Sequence, residues 1–309
     1  MSDTSSTVLG VVIDCGDGWA NGRRDELQSL IEQLLIFLNA YHLYSASNQL
    51  LVLASHPDEV LCLWPATSAG PDAVARPCSP HALRVSVANG LLNLAQRPPA
   101  APEAGESGSG GGAGVAPPLL SAAFATALCR LERARRLRVK VEPRLLLIHA
   151  SPDSPSQHLA SMNCVFAAQK LGILIDTVSL ARGDDSMVLQ QAAHLTGGLH
   201  LRPDEPTLRG LSQYLITHCL PSRQARQFLC MPRQRQPETR ALCFLSKDPV
   251  EIGHACSVCL AVFRHDNLNA CPVCGTRFAL ALPPRKKLKK APATSKPTAP
   301  PSGGASVAS

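Results

Sequence analysis

RLLLIHASPDSPSQHLASMNCVFAAQKLGILIDTVSL, residues 144–180, is the stretch that decides the fold. Arg144 to Ala150 is an apolar run without alternation, the pattern of a strand buried on both faces. Ser154-Pro155-Ser156-Gln157 reads as a capping box with proline at the first helical position. The helix that follows carries Leu159, Val165 and Phe166 and ends near Gly172, a residue suited to a left-handed C-cap. Ile173 to Leu180 is again an apolar run of strand length. A strand, a crossover helix and a second strand predict a parallel pair with helices on its faces.

The pattern extends in both directions. Ser186 to Leu195 predicts a helix, Gly197-Gly198 a turn, Leu199 to Arg202 a short strand and Leu208 to Leu220 a closing helix. Towards the N-terminus, residues 8–14 form another apolar run ending in an acid. Leu27, Leu30, Ile31, Leu34, Leu35, Leu38 and Tyr41 then recur at the spacing of one helix face. Leu50 to Ser55 and Val60 to Trp64 predict strands joined through His56-Pro-Asp58, too short a link for anything but an antiparallel pair at a sheet edge. Leu83 to Ala95 and Leu120 to Arg138 predict helices. The basic residues at 130, 133, 136 and 140 share one side of the second, most simply as a solvated flank. Residues 97–118, rich in Pro, Ala, Gly and Ser, read as a disordered low-complexity insertion. The expectation is a mostly parallel α/β sheet flanked by helices over residues 1–225, with a connector at 226–249.

Beyond the connector, Cys256-Ser-Val-Cys259 and Cys271-Pro-Val-Cys274 stand eleven residues apart. Two residues between cysteines let a tight turn aim both sulfurs at one point, and two such pairs close a tetrahedron suited to zinc. Cys256, Cys259, Cys271 and Cys274 are therefore the predicted ligands of one structural zinc ion in a ribbon spanning 250–282. The neighbouring His254 and His265 are not needed once four thiolates are present, and Cys243 lacks a partner at knuckle spacing. A closed four-thiolate site has no open position for hydrolysis, but it stabilises a segment too short to bury its own core.

Net charge is +7, and six of the basic residues lie in 283–309, which holds no acid. The folded part is thus near neutral, which argues against an extended nucleic-acid face. The run Arg285 to Lys290 has the form of a nuclear-localisation signal within a basic disordered tail. Aromatic residues make up 4% of the chain, sparse for base-stacking platforms. The polar N-terminus, with no eighteen-residue apolar run, points to neither a leader nor a membrane span. The scattered cysteines 15, 62, 78, 129, 164, 219, 230 and 243 then read as reduced thiols of an intracellular protein.

The carboxyl ends of parallel strands are where ligands bind. Gly16, Gly18 and Gly22 fit a dinucleotide fingerprint poorly, because Asp14 and Asp17 would repel a pyrophosphate. Asp14, Asp17, Ser151 and Asp153 are a candidate divalent-metal set, weighed against plain helix capping and loop hydrogen bonding, the favoured reading. No P-loop, nucleophile elbow or deaminase motif is present, and the histidines lack an identifiable orienting carboxylate. The chain reads as a non-enzyme without a small-molecule substrate.

Phe166-Ala-Ala-Gln-Lys170, Ile173-Leu-Ile-Asp176, Leu189-Gln-Gln-Ala192, Thr196-Gly-Gly-Leu199, Glu251-Ile-Gly253 and Cys256-Ser-Val-Cys-Leu260 resemble the family of the smaller von Willebrand A-like subunit of transcription factor TFIIH. The resemblance covers most of the chain and is most specific from residue 144 onward. It implies a von Willebrand A-like domain followed by a zinc ribbon. It also implies a nuclear, non-catalytic core subunit serving transcription initiation by RNA polymerase II and nucleotide excision repair. The implied partners are the larger von Willebrand A-like, zinc-binding subunit and other core subunits, with DNA contact indirect or weak. Such domains often carry an Asp-x-Ser-x-Ser metal motif; here the positions read Asp14-x-Gly16-x-Gly18, without the hydroxyls. The competing reading is a stand-alone nuclear nucleic-acid-binding zinc protein.

Overall fold

A computed structural model of the chain describes residues 6–16, 19, 24–65, 79–97, 117–137, 141–181, 185–203, 208, 210–234, 236–237, 240–246, 248–265 and 267–278. Asp17, Gly18, Gly22, Lys140, most of the 97–118 insertion and the 283–309 tail lie outside them. The chain divides into two compact units, Met1–Arg240 and Ala241–Ser309. The division falls inside the 226–249 stretch that the sequence reading assigns to a connector.

In the first unit a six-stranded sheet runs in the order β3-β2-β1-β4-β5-β6. Its strands are β1 (Ser6–Asp14), β2 (Gln49–Ser55), β3 (Val60–Trp64), β4 (Val141–His149), β5 (Leu174–Ser179) and β6 (His200–Leu201). Only the edge strand β3 is antiparallel, as its short link to β2 requires. The helices are α1 (Arg24–Tyr44), α2 (Pro80–Gln96), α3 (Leu120–Leu137), α4 (Pro155–Leu171), α5 (Met187–Thr196) and α6 (Leu211–Tyr214). None among the described residues is long and apolar enough to cross a membrane.

The period of two along each strand sorts its side chains into two apolar layers. Leu9, Val11 and Ile13 of β1, Val52 of β2 and Leu146 and Ile148 of β4 pack with α1 and α2. Val8 and Val12, Leu51 and Leu53, and Leu145 and Leu147 pack with α3, α4 and α5. Both faces are covered, which is why these strands show no polar alternation.

Three local expectations differ from the fold. Ser154 makes no side-chain capping bond to α4. Gln157 instead turns to the start of α3, where its Oε1 accepts from the Ser121 N–H at 3.1 Å and its Nε2 donates to the Pro118 carbonyl at 2.6 Å. Helix α4 seats Val165 and Ala168 on the sheet, while Leu159 and Phe166 stay nearly half exposed. Those two are seven residues apart and share a stripe about 100° round the helix from Val165. The closing helix begins only at Leu211 and passes without interruption from α6 into a π-helical turn over Leu215–Cys219. The basic flank of α3 is solvated at Arg133 and Arg136, the latter pairing with Glu132 at 3.0 Å, while Arg130 reaches Cys62 Sγ at 2.9 Å.

Candidate metal centre and sheet-end site

In the second unit the backbone of each cysteine pair closes on itself in the same way. The Cys256 N–H donates to the Ala261 carbonyl at 2.9 Å, and the Leu260 N–H donates back to the Cys256 carbonyl at 2.9 Å. At the other pair the Cys271 N–H donates to Thr276 at 2.7 Å, and the Gly275 N–H to Cys271 at 2.9 Å. The hairpin of β9 (His254–Ala255) and β10 (Val262–Phe263), following the short pair β7 (Ala241–Leu242) and β8 (Pro249–Val250), holds the first turn. Beneath the sulfurs lies Phe263, edge-on to Phe244 and Phe278 with ring centroids 6.4 and 6.5 Å away.

The four sulfurs lie within 4.8 Å of one another and form a group that could hold a metal ion. Cys256–Cys274 and Cys259–Cys271 are separated by 3.7 and 3.5 Å. A tetrahedron with metal–sulfur bonds of about 2.3 Å has edges of about 3.8 Å, so the donor set fits a four-thiolate centre. The Thr276 hydroxyl and N–H lower the Cys274 thiol. At Cys259 the lowering by the Ala261 N–H is outweighed by desolvation and the other three thiols, which raise it, as expected of four thiols crowded together. His254 and His265 are exposed and stand outside the group.

The residue after each pair adopts a left-handed backbone, Gly275 with φ +70° and Leu260 with φ +61°. Glycine does so without cost, whereas a side chain there costs about 1–2 kcal/mol. Leu260 is also two-thirds exposed, so its side chain recovers little by burial. Leu260→Gly is expected to stabilise the second unit by about 1 kcal/mol, measured as a higher chelator concentration at the midpoint of unfolding.

Cys243 heads a third turn of the same form, its N–H donating to the Asp248 carbonyl at 2.9 Å. The fourth position of this turn is Ser246, and the Cys243 sulfur accepts from the Arg264 N–H at 3.3 Å. Burial raises the thiol, but the Ser246 hydroxyl and the N–H groups of Ser246, Arg264 and Leu245 outweigh it and bring it to about 7. Sequence spacing hid this turn because its regularity lies in the backbone and not in a second cysteine.

In the first unit the strand order reverses between β1 and β4, and the crevice at their carboxyl ends holds Asp14. Its Oδ1 accepts from the Gly16 N–H at 2.8 Å. Its Oδ2 accepts from the N–H groups of Ala150 and Ser151 at 3.1 and 2.8 Å. Nδ1 of the buried His149 lies 2.8 Å from the same Oδ2, a close charge pair whose angle falls short of an aligned hydrogen bond. His149 Nε2 faces Asp153 Oδ1 at 3.8 Å, and Asp153 Oδ2 caps α5 through the Met187 N–H at 3.0 Å.

Burial alone would raise the Asp14 carboxyl; the His149 charge and the donors on Ser151 and Gly16 outweigh it and hold it at about 2. Burial would lower His149, but the Asp14 charge, aided by Asp153, raises it. Because the folded pKa of Asp14 lies below its ordinary 3.8, its contribution is present above that value and lost as pH falls towards 2. Asp14→Asn is expected to remove that part of the acid-unfolding profile, read by circular dichroism between these limits.

Sequence reading missed two polar clusters. Thr177 Oγ1, His200 and Asp185 form a chain with both contacts at 2.8 Å, the order of a nucleophile relay. Thr177 is fully buried and donates to the Leu189 carbonyl, so the chain ties β5, β6 and α5 together and offers substrate no approach. Arg144, Asp176 and Arg226 form the second, in which Asp176 Oδ2 lies 3.0 Å from one guanidinium and 2.5 Å from the other.

A model of the family described as Transcription factor Tfb4 matches residues 6–275. A relative named General transcription factor IIH subunit 3, from Dictyostelium discoideum, is 41% identical over 56% of this chain and 46% of its own length. The match therefore spans less than half of that relative. General transcription and DNA repair factor IIH subunit tfb4, from Schizosaccharomyces pombe, is 29% identical over 93% of each chain. Among solved structures, the crystal structure of the TFIIH p34 N-terminal domain is 27% identical with a TM-score of 0.54, covering 68% of this chain and 96% of that one. The fold of the first unit is von Willebrand A-like, as the sequence motifs imply.

Proposed function

The chain belongs to the Transcription factor Tfb4 family, and on that premise we propose that it is a non-catalytic structural subunit of the TFIIH core. In this role it supports transcription initiation by RNA polymerase II and nucleotide excision repair by docking other subunits, first among them the larger von Willebrand A-like, zinc-binding one. The observation that carries the reading is the extent of the match, which runs through the sheet unit and both cysteine pairs of the second. The relatives' names support it, since they are those of subunits of a general transcription and DNA repair factor. A nuclear location follows from that work, and the Arg285 to Lys290 run suits it.

Cys256, Cys259, Cys271 and Cys274 hold one zinc ion in this proposal, and the converging thiol set favours it. The ion would stabilise the fold, not activate water, because all four positions are filled by protein. Leu245, Ile252, Val258 and Leu260, each more than half exposed on this small unit, offer apolar surface to a partner subunit.

Affinity purification of the tagged full-length chain from nuclear extract at moderately high salt tests the assignment. Co-purification of the larger von Willebrand A-like subunit and the TFIIH helicases is the expected result. Recovery of the chain alone, or only with nucleic acid, would replace it with the stand-alone nucleic-acid-binding reading.

A further inference from the structure

The divalent cation that the Asp-x-Ser-x-Ser motif serves in von Willebrand A-like domains does not fit the residues at this strand end. Gly16 stands at the first hydroxyl position, and a Cβ there would lie 2.8 Å from Pro118 Cδ and 2.9 Å from Ser151 Oγ. No serine fits without moving the start of α3. Both oxygens of Asp14 are already engaged by three backbone N–H groups. The remaining approach to Oδ2 is taken by the His149 ring at 2.8 Å, and the far nitrogen of that ring faces Asp153.

We infer that His149 is a resident cation standing in for the divalent ion, so that this end of the sheet is locked by a side chain and operates without metal. Each buried ring nitrogen faces a carboxylate oxygen, Nδ1 that of Asp14 at 2.8 Å and Nε2 that of Asp153 at 3.8 Å, and a neutral ring, with a single N–H, would turn a lone pair towards one of them. The positive ring pairs with Asp14 from β1 and Asp153 from the loop before α4, linking β1, β4 and the cap of α5. Among the described residues, the other titratable group lining this cleft is His158 of α4, which burial lowers more strongly than Asp153 raises. From α3 and α5 the cleft receives Leu120 and Val188, which carry no charge. Among the described residues, the positive charge between the two acids is thus that of His149.

The test is thermal unfolding of the full-length, metal-loaded protein with and without millimolar Mg²⁺ or Mn²⁺, for wild type, His149→Lys and His149→Gln. The wild-type Tm is expected to ignore both ions. His149→Lys keeps the charge and should stay near the wild-type Tm, while His149→Gln, similar in size but neutral, should lose several degrees. Equal losses in the two variants, or none in either, would overturn the inference. So would a rise in the wild-type Tm on adding Mn²⁺. If His149→Gln fails to fold while His149→Lys folds, the charge requirement stands.

Discussion

Asp176→Asn is expected to lower the stability of the sheet unit by about 3–5 kcal/mol, the cost of breaking a buried pair and leaving charge uncompensated. Asp176 and Arg144 are each about 1% exposed, and the Arg226 side chain 9%. The carboxylate accepts from Arg144 at 3.0 Å, from both terminal nitrogens of Arg226 at 2.8 and 2.5 Å, and from the Leu199 N–H at 3.0 Å. Two guanidiniums on one carboxylate leave an excess positive charge. Arg144 disposes of it by donating to the Cys219 and Leu220 carbonyls at 2.6 and 3.2 Å, the negative end of the last helical turn. The cluster therefore staples residues 219–226 against β4 and β5. Asparagine keeps the shape but turns two cations loose in the interior. Arg226→Gln should cost less, because Arg226 lies nearer the surface, and the double variant should cost less than the sum of the two. Urea unfolding of the zinc-loaded chain measures all three. A loss below about 1 kcal/mol for Asp176→Asn, the range of exposed pairs, would mean that water reaches the carboxylate.

Asp176 also shows where sequence reasoning stops. Its position was readable, as a lone acid in Ile173-Leu-Ile-Asp176, and an acid in a strand buried on both faces must have a partner. The partner's identity was not. Arg144 comes from the neighbouring strand two residues out of register with Asp176, and Arg226 from a stretch with no periodic pattern. The same holds for His149, whose meeting with Asp14 depends on the β1–β4 register and leaves no trace in spacing. What was legible rests on local chemistry: apolar runs of strand length, the α1 face, the short β2–β3 link, and cysteines two residues apart. The misread features involve competition between local and distant partners. Gln157 forgoes its own helix cap for that of α3. The 208–220 helix widens to π spacing over Leu215–Cys219, and the carbonyls of Cys219 and Leu220 at its end bond Arg144.

Cys271→Ser is expected to unfold the second unit while the sheet unit keeps its own melting transition. Among the described residues of the second unit, Cys256, Phe263 and Cys271 form a buried cluster with Phe244, Leu268 and Phe278 partly buried around it, and Cys243 and Val250 are buried besides. Two of the three residues in that cluster belong to the candidate ligand set, so the core and the candidate metal centre share side chains. So few apolar groups cannot offset the ordering of some forty residues, each costing roughly 1.5 kcal/mol. Metal binding to a structural four-thiolate site contributes about 10–16 kcal/mol at neutral pH, enough to make folding and metal loading one equilibrium. Serine at 271 removes a buried thiolate and leaves Cys259 facing a hydroxyl that stays protonated. Metal content, measured by atomic emission, should fall from one zinc per chain to a small fraction. In hydrogen exchange, the amides of Cys256, Leu260 and Gly275 should lose protection while those of β1 and β4 keep theirs. Chelation of the wild-type chain should reproduce the same pattern, and added zinc should reverse it. Tight retention of one zinc by the variant would show that the ligand set is wrong. Loss of β1 and β4 protection together with the ribbon would show that the two units fold as one.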